Sequence, residues 1–272
     1  MITFPRAKIN IGLRITGKRE DGFHDIETIF YPVCLSDALE FRVRTDGKKM
    51  DTIVMAGVSE QVPFESNLVI KALNSIRESA DIPPLEIILL KGIPSGAGLG
   101  GGSSDASSML KTLNRYFSLG LEMKILEEKA SRLGSDCTFF VRSEPSLAKG
   151  RGELLTPVNK LDETLWLVLV KPEINISTAE AYSGCRPYRD GSDLSAVYSS
   201  GIDNWKDSMK NDFEETIFPL HPGLADIKKA LYDAGAVYAS MSGSGSTIYG
   251  IYRGKPSISP GLKNYIIYSG LL

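Results

Sequence analysis

The chain has 272 residues, enough to bury a substantial core as one large domain or two closely joined lobes. Its 42% hydrophobic and 24% charged composition and its formal net charge of −2 leave no electrostatic footprint for nucleic acid. Three scattered cysteines, Cys34, Cys137 and Cys185, form no metal-binding or disulfide pattern, so a reducing cytoplasm is expected.

The opening stretch ITFPRAKIN lacks a charged-then-apolar leader pattern, and no apolar run approaches the roughly 18 residues of a membrane span. A cytoplasmic protein with no membrane partner is expected. From there to Val33 the chain reads as strand, glycine-containing turn, strand, with Ile9, Ile11, Leu13 and Ile15 alternating with polar residues. Lys8 and Asn10 are two apart and share one strand face. They are either solvent-facing or a functional pair. The turn EDGFHD carries Phe23 and His24, which could stack on a planar ligand or plug the loop.

ALEFRVRT and DTIVMAG continue the strands. SNLVIKALNSIRESA places Val69, Leu73, Ile76 and Ala80 at helical spacing, with Ser66 as a candidate N-cap. LEIILLKG then reads as a buried strand leading into IPSGAGLGGGSSDASS. In that stretch Pro94, Ser95, Gly96, Ala97, Gly98, Leu99, Gly100, Gly101, Gly102, Ser103 and Ser104 join a strand to a helix expected from Ser104 to Tyr116. Glycines let backbone N–H groups close on an anion, and a helix N-terminus adds donors and partial positive charge. A phosphate is the expected guest. The P-loop pattern fails because no lysine follows the glycines. Gly96, Gly98 and Gly101 satisfy G-x-G-x-x-G, but a second helix, EMKILEEKASRLG, follows where a dinucleotide fold needs a strand.

Beyond that helix, Asp136 precedes the apolar run Phe139, Phe140 and Val141, which reads as a buried strand with an acid on its lip. The acid is either a structural carboxylate or a functional one. AKGRGELL carries a glycine hairpin signal and WLVLVKP reads as a buried strand. INISTAEAY enters a short helix with Thr178 and Tyr182 on adjacent turns, and the polar stretch 185–208 reads as a boundary region. An amphipathic helix starts at Pro222 and ends at Gly235. A second glycine loop, Ser242, Gly243, Ser244, Gly245 and Ser246, feeds a strand, and NYIIY closes the chain. Two glycine loops suit one anion held from two sides.

The stretches RAKINIGLRITGKREDGFHDIETIF, IPSGAGLGGGSSDASS, LGSDCTFFV, AKGRGELL, KNDFE and SMSGSGSTIYGIY span nearly the whole chain. In that order they resemble the GHMP kinase superfamily. The resemblance implies an α/β (α+β) fold of two lobes. The first, 1–152, would be ribosomal-protein-S5-like and hold ATP; the second, 153–272, would be ferredoxin-like and α+β, with substrate between them. It implies ATP as co-substrate with Mg²⁺, for which no metal ligand is assigned, and a monomer or weak homodimer.

The same resemblance places catalysis on Lys8 and Asp136, the aspartate accepting the substrate hydroxyl proton while the lysine holds it ionised and stabilises transferred charge. The stretch Pro94 to Ser104 would wrap the triphosphate and Ser242 to Ser246 would pack beside it. The acceptor implied is the 2-hydroxyl of a cytidine diphosphate-linked methylerythritol, in the non-mevalonate route to isoprenoid precursors. Its binding falls on Asn10, Phe23, His24, Thr178 and Tyr182. Phe23 stands where the pattern usually has Tyr, and Cys137 and Thr138 replace a commoner Val-Pro. Another small-alcohol kinase of the superfamily, or a non-catalytic nucleotide-binding protein of this fold, are the alternatives.

Overall fold

The structure, a computed structural model, describes residues 1–58, 62–162, 164–185 and 193–272. In chain order its first half holds β1 (Ile2–Thr3), β2 (Arg6–Lys18), β3 (His24–Ser36), β4 (Ala38–Val43) and β5 (Thr52–Gly57), then α1 (Leu68–Arg77) and β6 (Leu85–Lys91). Helices α2 (Gly101–Tyr116), α3 (Met123–Leu133) and α4 (Cys137–Arg142) follow, then β7 (Ser146–Lys149), β8 (Leu154–Pro157) and β9 (Trp166–Val170). The remainder is α5 (Thr178–Ser183), α6 (Leu194–Ser199), α7 (Trp205–Ser208), α8 (Phe213–Leu220), α9 (Pro222–Asp233), β10 (Tyr238–Met241), β11 (Ile248–Tyr252) and β12 (Ile266–Leu271). No helix among the described residues is long and apolar enough to cross a membrane.

These elements form two compact units. The first gathers Met1–Ala7, Leu35–Ser95 and Gly100–Glu144; the second gathers Lys8–Cys34, Gly96–Leu99 and Pro145–Leu272.

In the first unit a sheet of order β1-β4-β6-β5 carries helices on one face. Strand alternation puts Leu39, Phe41, Leu85, Ile87 and Leu89 inward, where they meet Val69, Leu73 and Ile76 of α1 and Met109, Leu110 and Leu113 of α2. The expectation that LEIILLKG is a buried strand holds for one face only: Ile88 and Leu90 are half-exposed on the outer face, paired with Val54 and Ala56 of β5. The apolar run is a one-sided strand because helices cover only one face.

Three other expectations change within this unit. Helix α1 is capped by Asn67, whose side chain accepts from Val69 N, and not by Ser66. Helix α2 begins at Gly101, three residues before the expected start, so the last glycines of the loop are its first turn. Phe139, Phe140 and Val141 lie in α4, not in a strand, and Asp136 is that helix's N-cap position. Short apolar runs do not discriminate strand from buried helix by periodicity.

The second unit holds two sheets, of orders β2-β3-β7-β8 and β10-β11-β9-β12. Helices α5, α8 and α9 supply Ala181, Phe213, Ile217, Leu224, Ile227 and Leu231 to a core shared with Leu13 and Ile15 of β2 and Val168, Val170, Met241 and Ile248. Strand β2 is buried on both faces from Ala7 to Ile15, so its polar residues point into the protein. Lys8 and Asn10 are therefore not solvent-facing. The polar stretch 185–208 is not a linker in its described part: Leu194 and Trp205 are fully buried, and residues 186–192 lie outside the described residues.

Truncating Leu110 to Ala removes buried methyl groups at the contact of α2 with the sheet and lowers the unfolding free energy by about 2–5 kcal/mol. The outward-facing Ile88→Thr changes it by no more than about 0.5 kcal/mol. Urea unfolding of both variants measures the contrast.

Candidate functional site

In the second unit, five stretches meet around Lys8. Its ammonium is buried, donates to Asn10 Oδ1 at 2.6 Å and to Gly98 O at 3.2 Å, and stands 4.9 Å from the Phe30 ring centroid. Burial of a lysine is costly unless its donors are satisfied, and these acceptors hold it at one place. Asn10 is fixed in turn. Its Nδ2 donates to Thr28 Oγ1 at 3.1 Å, its N donates to Ser242 Oγ at 3.2 Å, and its O accepts from Tyr249 OH at 2.8 Å.

The two glycine loops touch in this unit. Lys8 N donates to Leu99 O at 3.0 Å, and Ser242 Oγ donates to Gly98 O at 2.8 Å. Gly98 has φ +75°, and a Cβ there would lie 1.9 Å from Ser242 O. Only glycine fits both the backbone angle and the approach. Buried Ala97 and Leu99 anchor the loop, while Gly96 is exposed with open space at its Cβ position. Gly245 N donates to Ser242 O, closing the second loop as a turn; a Cβ on Gly243 would lie 3.2 Å from Asn10 Oδ1. Ser244 is half-buried at the turn's tip.

The rest of the first glycine stretch belongs to the first unit. Pro94 is half-buried and Ser95 exposed, Gly100 takes φ +71° as the N-cap of α2, and Gly101, Gly102 and Ser103 form the first turn, whose N–H groups have no intrahelical acceptor. Ser104 Oγ donates to Arg6 O at 2.7 Å. Such a turn suits phosphate oxygens. Asp136 is half-buried just before α4. Ser107 ties this point to α2 by donating to Cys137 O at 2.7 Å. Burial pushes the Cys137 thiol up to about 11, so it stays protonated near neutrality.

Below the start of α2 lies a cluster that sequence reasoning missed. Lys91 Nζ bonds Asp37 Oδ2 and, at 2.6 Å, Asp105 Oδ2; Asp37 Oδ1 also accepts from Gly92 N and Ile93 N. A Cβ on Gly101 would lie 3.3 Å from Lys91 Nζ, so the cluster supports the loop's entry and exit. Burial, against the opposing pull of Lys91, raises Asp105 to about 7. The only sequence trace was a lysine ending an apolar strand.

The residues expected to bind the acceptor lie in the second unit. His24 and Tyr182 are stacked, with centroids 4.5 Å apart and planes at 16°, and Phe213 meets Tyr182 edge-on at 4.8 Å. Thr178 opens α5, exposed, one turn before Tyr182. Phe23 is half-exposed and carries the Arg151 guanidinium 4.1 Å over its ring. Among the described residues no group of three or more His, Cys, Asp or Glu could hold a metal ion.

Two family models match the chain: GHMP kinases N terminal domain over residues 67–144 and GHMP kinases C terminal over residues 194–259. A protein of Bacteroides fragilis named 4-diphosphocytidyl-2-C-methyl-D-erythritol kinase is 46% identical, covering 95% of this chain and 94% of its own. One of Porphyromonas gingivalis with the same name is 48% identical over the same shares. Among solved structures, a 4-(cytidine 5'-diphospho)-2C-methyl-D-erythritol kinase is similar at 28% identity and TM-score 0.82, covering 99% of this chain and 98% of its own.

Gly98→Ala meets a carbonyl and an unfavourable φ together and destabilises the fold more than Gly96→Ala, which meets only the φ at a cost of about 1–2 kcal/mol. Urea unfolding of the two variants measures the difference. Asp105 ionises near 3.8 in the unfolded chain and near 7 in the folded one. The native state therefore binds the extra proton between these values, and stability falls as pH rises through that window. Asp105→Asn flattens this slope in thermal melts from pH 5 to pH 8.

Proposed function

The chain belongs to the 4-diphosphocytidyl-2-C-methyl-D-erythritol kinase family of the GHMP kinases, and from that membership we propose that it transfers the γ-phosphoryl group of ATP to the 2-hydroxyl of 4-diphosphocytidyl-2-C-methyl-D-erythritol. The observation that carries the reading is the buried Lys8 ammonium held between Asn10 Oδ1 and Gly98 O of the glycine stretch. A fixed cation bonded to the phosphate loop is what charge build-up on a moving phosphoryl group requires.

In this reading the residues from Pro94 to Ser104 hold the triphosphate with backbone N–H groups and the first turn of α2. Lys8 stabilises charge on the transferred group. Asp136 accepts the proton of the acceptor hydroxyl as the new P–O bond forms and the bond to the ADP oxygen breaks. Ser242, Gly243, Ser244 and Gly245 keep the loop beside Lys8 in shape. Mg²⁺ would arrive with ATP and supply charge neutralisation at the phosphates, and no residue of this chain is assigned to it. Asn10, Phe23, His24, Thr178 and Tyr182 recognise the cytidine. The His24–Tyr182 stack is a flat aromatic surface of the kind a pyrimidine adds to, and Phe23 retains the ring, without the hydroxyl, for apolar contact.

The two family lobes are proposed to divide at 152/153. We further place the reaction in the cytoplasm, carried out by a monomer or weak homodimer on the route to isoprenoid precursors. Free Cys34, Cys137 and Cys185 are in keeping with that compartment.

Purified protein with Mg-ATP consumes the cytidine-linked alcohol, and turns over mevalonate or homoserine far more slowly. Equal rates on the three alcohols would overturn the substrate assignment. In the same coupled assay Lys8→Ala lowers kcat by roughly 100- to 1000-fold. Asp136→Asn abolishes turnover while ATP still binds, which a non-catalytic nucleotide-binding protein would not show.

A further inference from the structure

No role falls on KNDFE, residues 210–214, in the chemistry just described, yet its side chains are among the most thoroughly bonded in the second unit. Asn211 is buried. It donates one amide hydrogen to Met241 O at 2.7 Å and the other to Gly243 O at 2.8 Å, and its Oδ1 accepts from Phe213 N at 3.0 Å. Glu214 Oε1 accepts from Met241 N at 2.8 Å and from Ser240 Oγ at 2.9 Å. On its other side the segment is tied to β2: Leu13 N donates to Lys210 O, Asp212 N donates to Leu13 O, and Ile15 N donates to Asp212 Oδ2 at 2.8 Å. Five residues thus fasten the strand carrying Lys8 to the second glycine loop.

The two carbonyls that Asn211 holds belong to the residues on either side of Ser242. A primary amide supplies two N–H donors in one plane; a carboxylate would supply none, and a methyl would leave two buried carbonyls without this donor. Ser242 Oγ donates to Gly98 O and accepts from Asn10 N, and Lys8 Nζ lies against Gly98 O and Asn10 Oδ1. We propose that Asn211 is a positioning residue for phosphoryl transfer: by fixing the carbonyls of Met241 and Gly243 it sets Ser242, and through Ser242 the two acceptors that place the Lys8 ammonium. This inference rests on the reading of Lys8 and the glycine loops as the phosphate site.

The amide works through Ser242 on the acceptors of Lys8, so its loss registers chiefly in kcat. Asn211→Asp, which keeps shape and removes both donors, lowers kcat roughly 10- to 100-fold, the scale of an ångström-sized misplacement. The KM for the cytidine substrate changes far less than kcat, because Asn211→Asp keeps the oxygen that accepts from Phe213 N and so leaves Phe213 packed on Tyr182. In a double-mutant cycle, Asn211→Asp on top of Lys8→Ala lowers kcat no further than Lys8→Ala does. If Asn211→Asp turned over within about twofold of the parent, or if its loss multiplied that of Lys8→Ala, the proposal would be overturned. Where Asn211→Asp fails to fold, Asn211→Ser, which keeps one donor, reads the same cycle. Lys8→Ala retaining full kcat would sink the reading of the site itself, whatever Asn211→Asp does.

Discussion

A single buried hydroxyl, Ser242 Oγ, joins what the sequence keeps far apart. It donates to Gly98 O and accepts from Asn10 N, so strand β2, the first glycine loop and the second one are registered to each other at one atom. Everything around it follows from satisfying that geometry in a buried interior. Gly98 must lack a side chain because Ser242 O lies against it. Lys8 can be buried because two acceptors of the same cluster face it. In a medium of low dielectric, each such bond is strong and each missing one is costly, so the cluster tolerates little rearrangement.

The first unit applies the same logic with charge. Lys91 sits between Asp37 and Asp105 beneath the start of α2, and Asp37 spends its second oxygen on the backbone of Gly92 and Ile93. Two carboxylates around one ammonium carry an excess negative charge when both ionise. Burial disfavours that state, and Asp105 is the group raised to about 7. The chain entering the glycine stretch and the helix leaving it are thereby pinned to one ionic centre. The loop needs that support because its glycines contribute conformational freedom and no packing of their own.

Much of this was legible in the residues. The glycine stretch, the lysine and asparagine two apart on β2, and the second glycine loop each announce backbone chemistry that ordinary core sequences do not need. Amphipathic spacing located α1, α3 and α9, and uninterrupted apolar residues located β9. The illegible parts have physical causes. Phe139 to Val141 could be strand or helix, since three buried residues have no period. Ile88 and Leu90 looked interior because exposure depends on where the helices lie, which the strand itself does not encode. Asn211 and Asp105 lie in stretches that stood out, but their own contacts gave no signal, because an asparagine or aspartate is worth remarking only once its buried partners are known. For Trp205, polar neighbours concealed an aromatic that packs between Tyr198 and Tyr238.

The two compact units are interleaved along the chain, and this bears on how the protein emerges from the ribosome. Strands β2 and β3 are made within the first 36 residues, but their unit also requires residues 145–272. The first unit is complete once Glu144 has appeared, with its early part, Met1–Ala7, already waiting. Synthesis therefore delivers the helical unit while the strand bearing Lys8 still lacks β9 to β12 and the segment from 210 to 214. For that interval β2 is an apolar strand, rich in Ile, paired with β3 at most and without the later elements that bury it, and a state of this kind is prone to association with other unfinished chains. Late synthesis of the residues that hold Lys8 makes the buried cluster around its ammonium the last thing this chain builds.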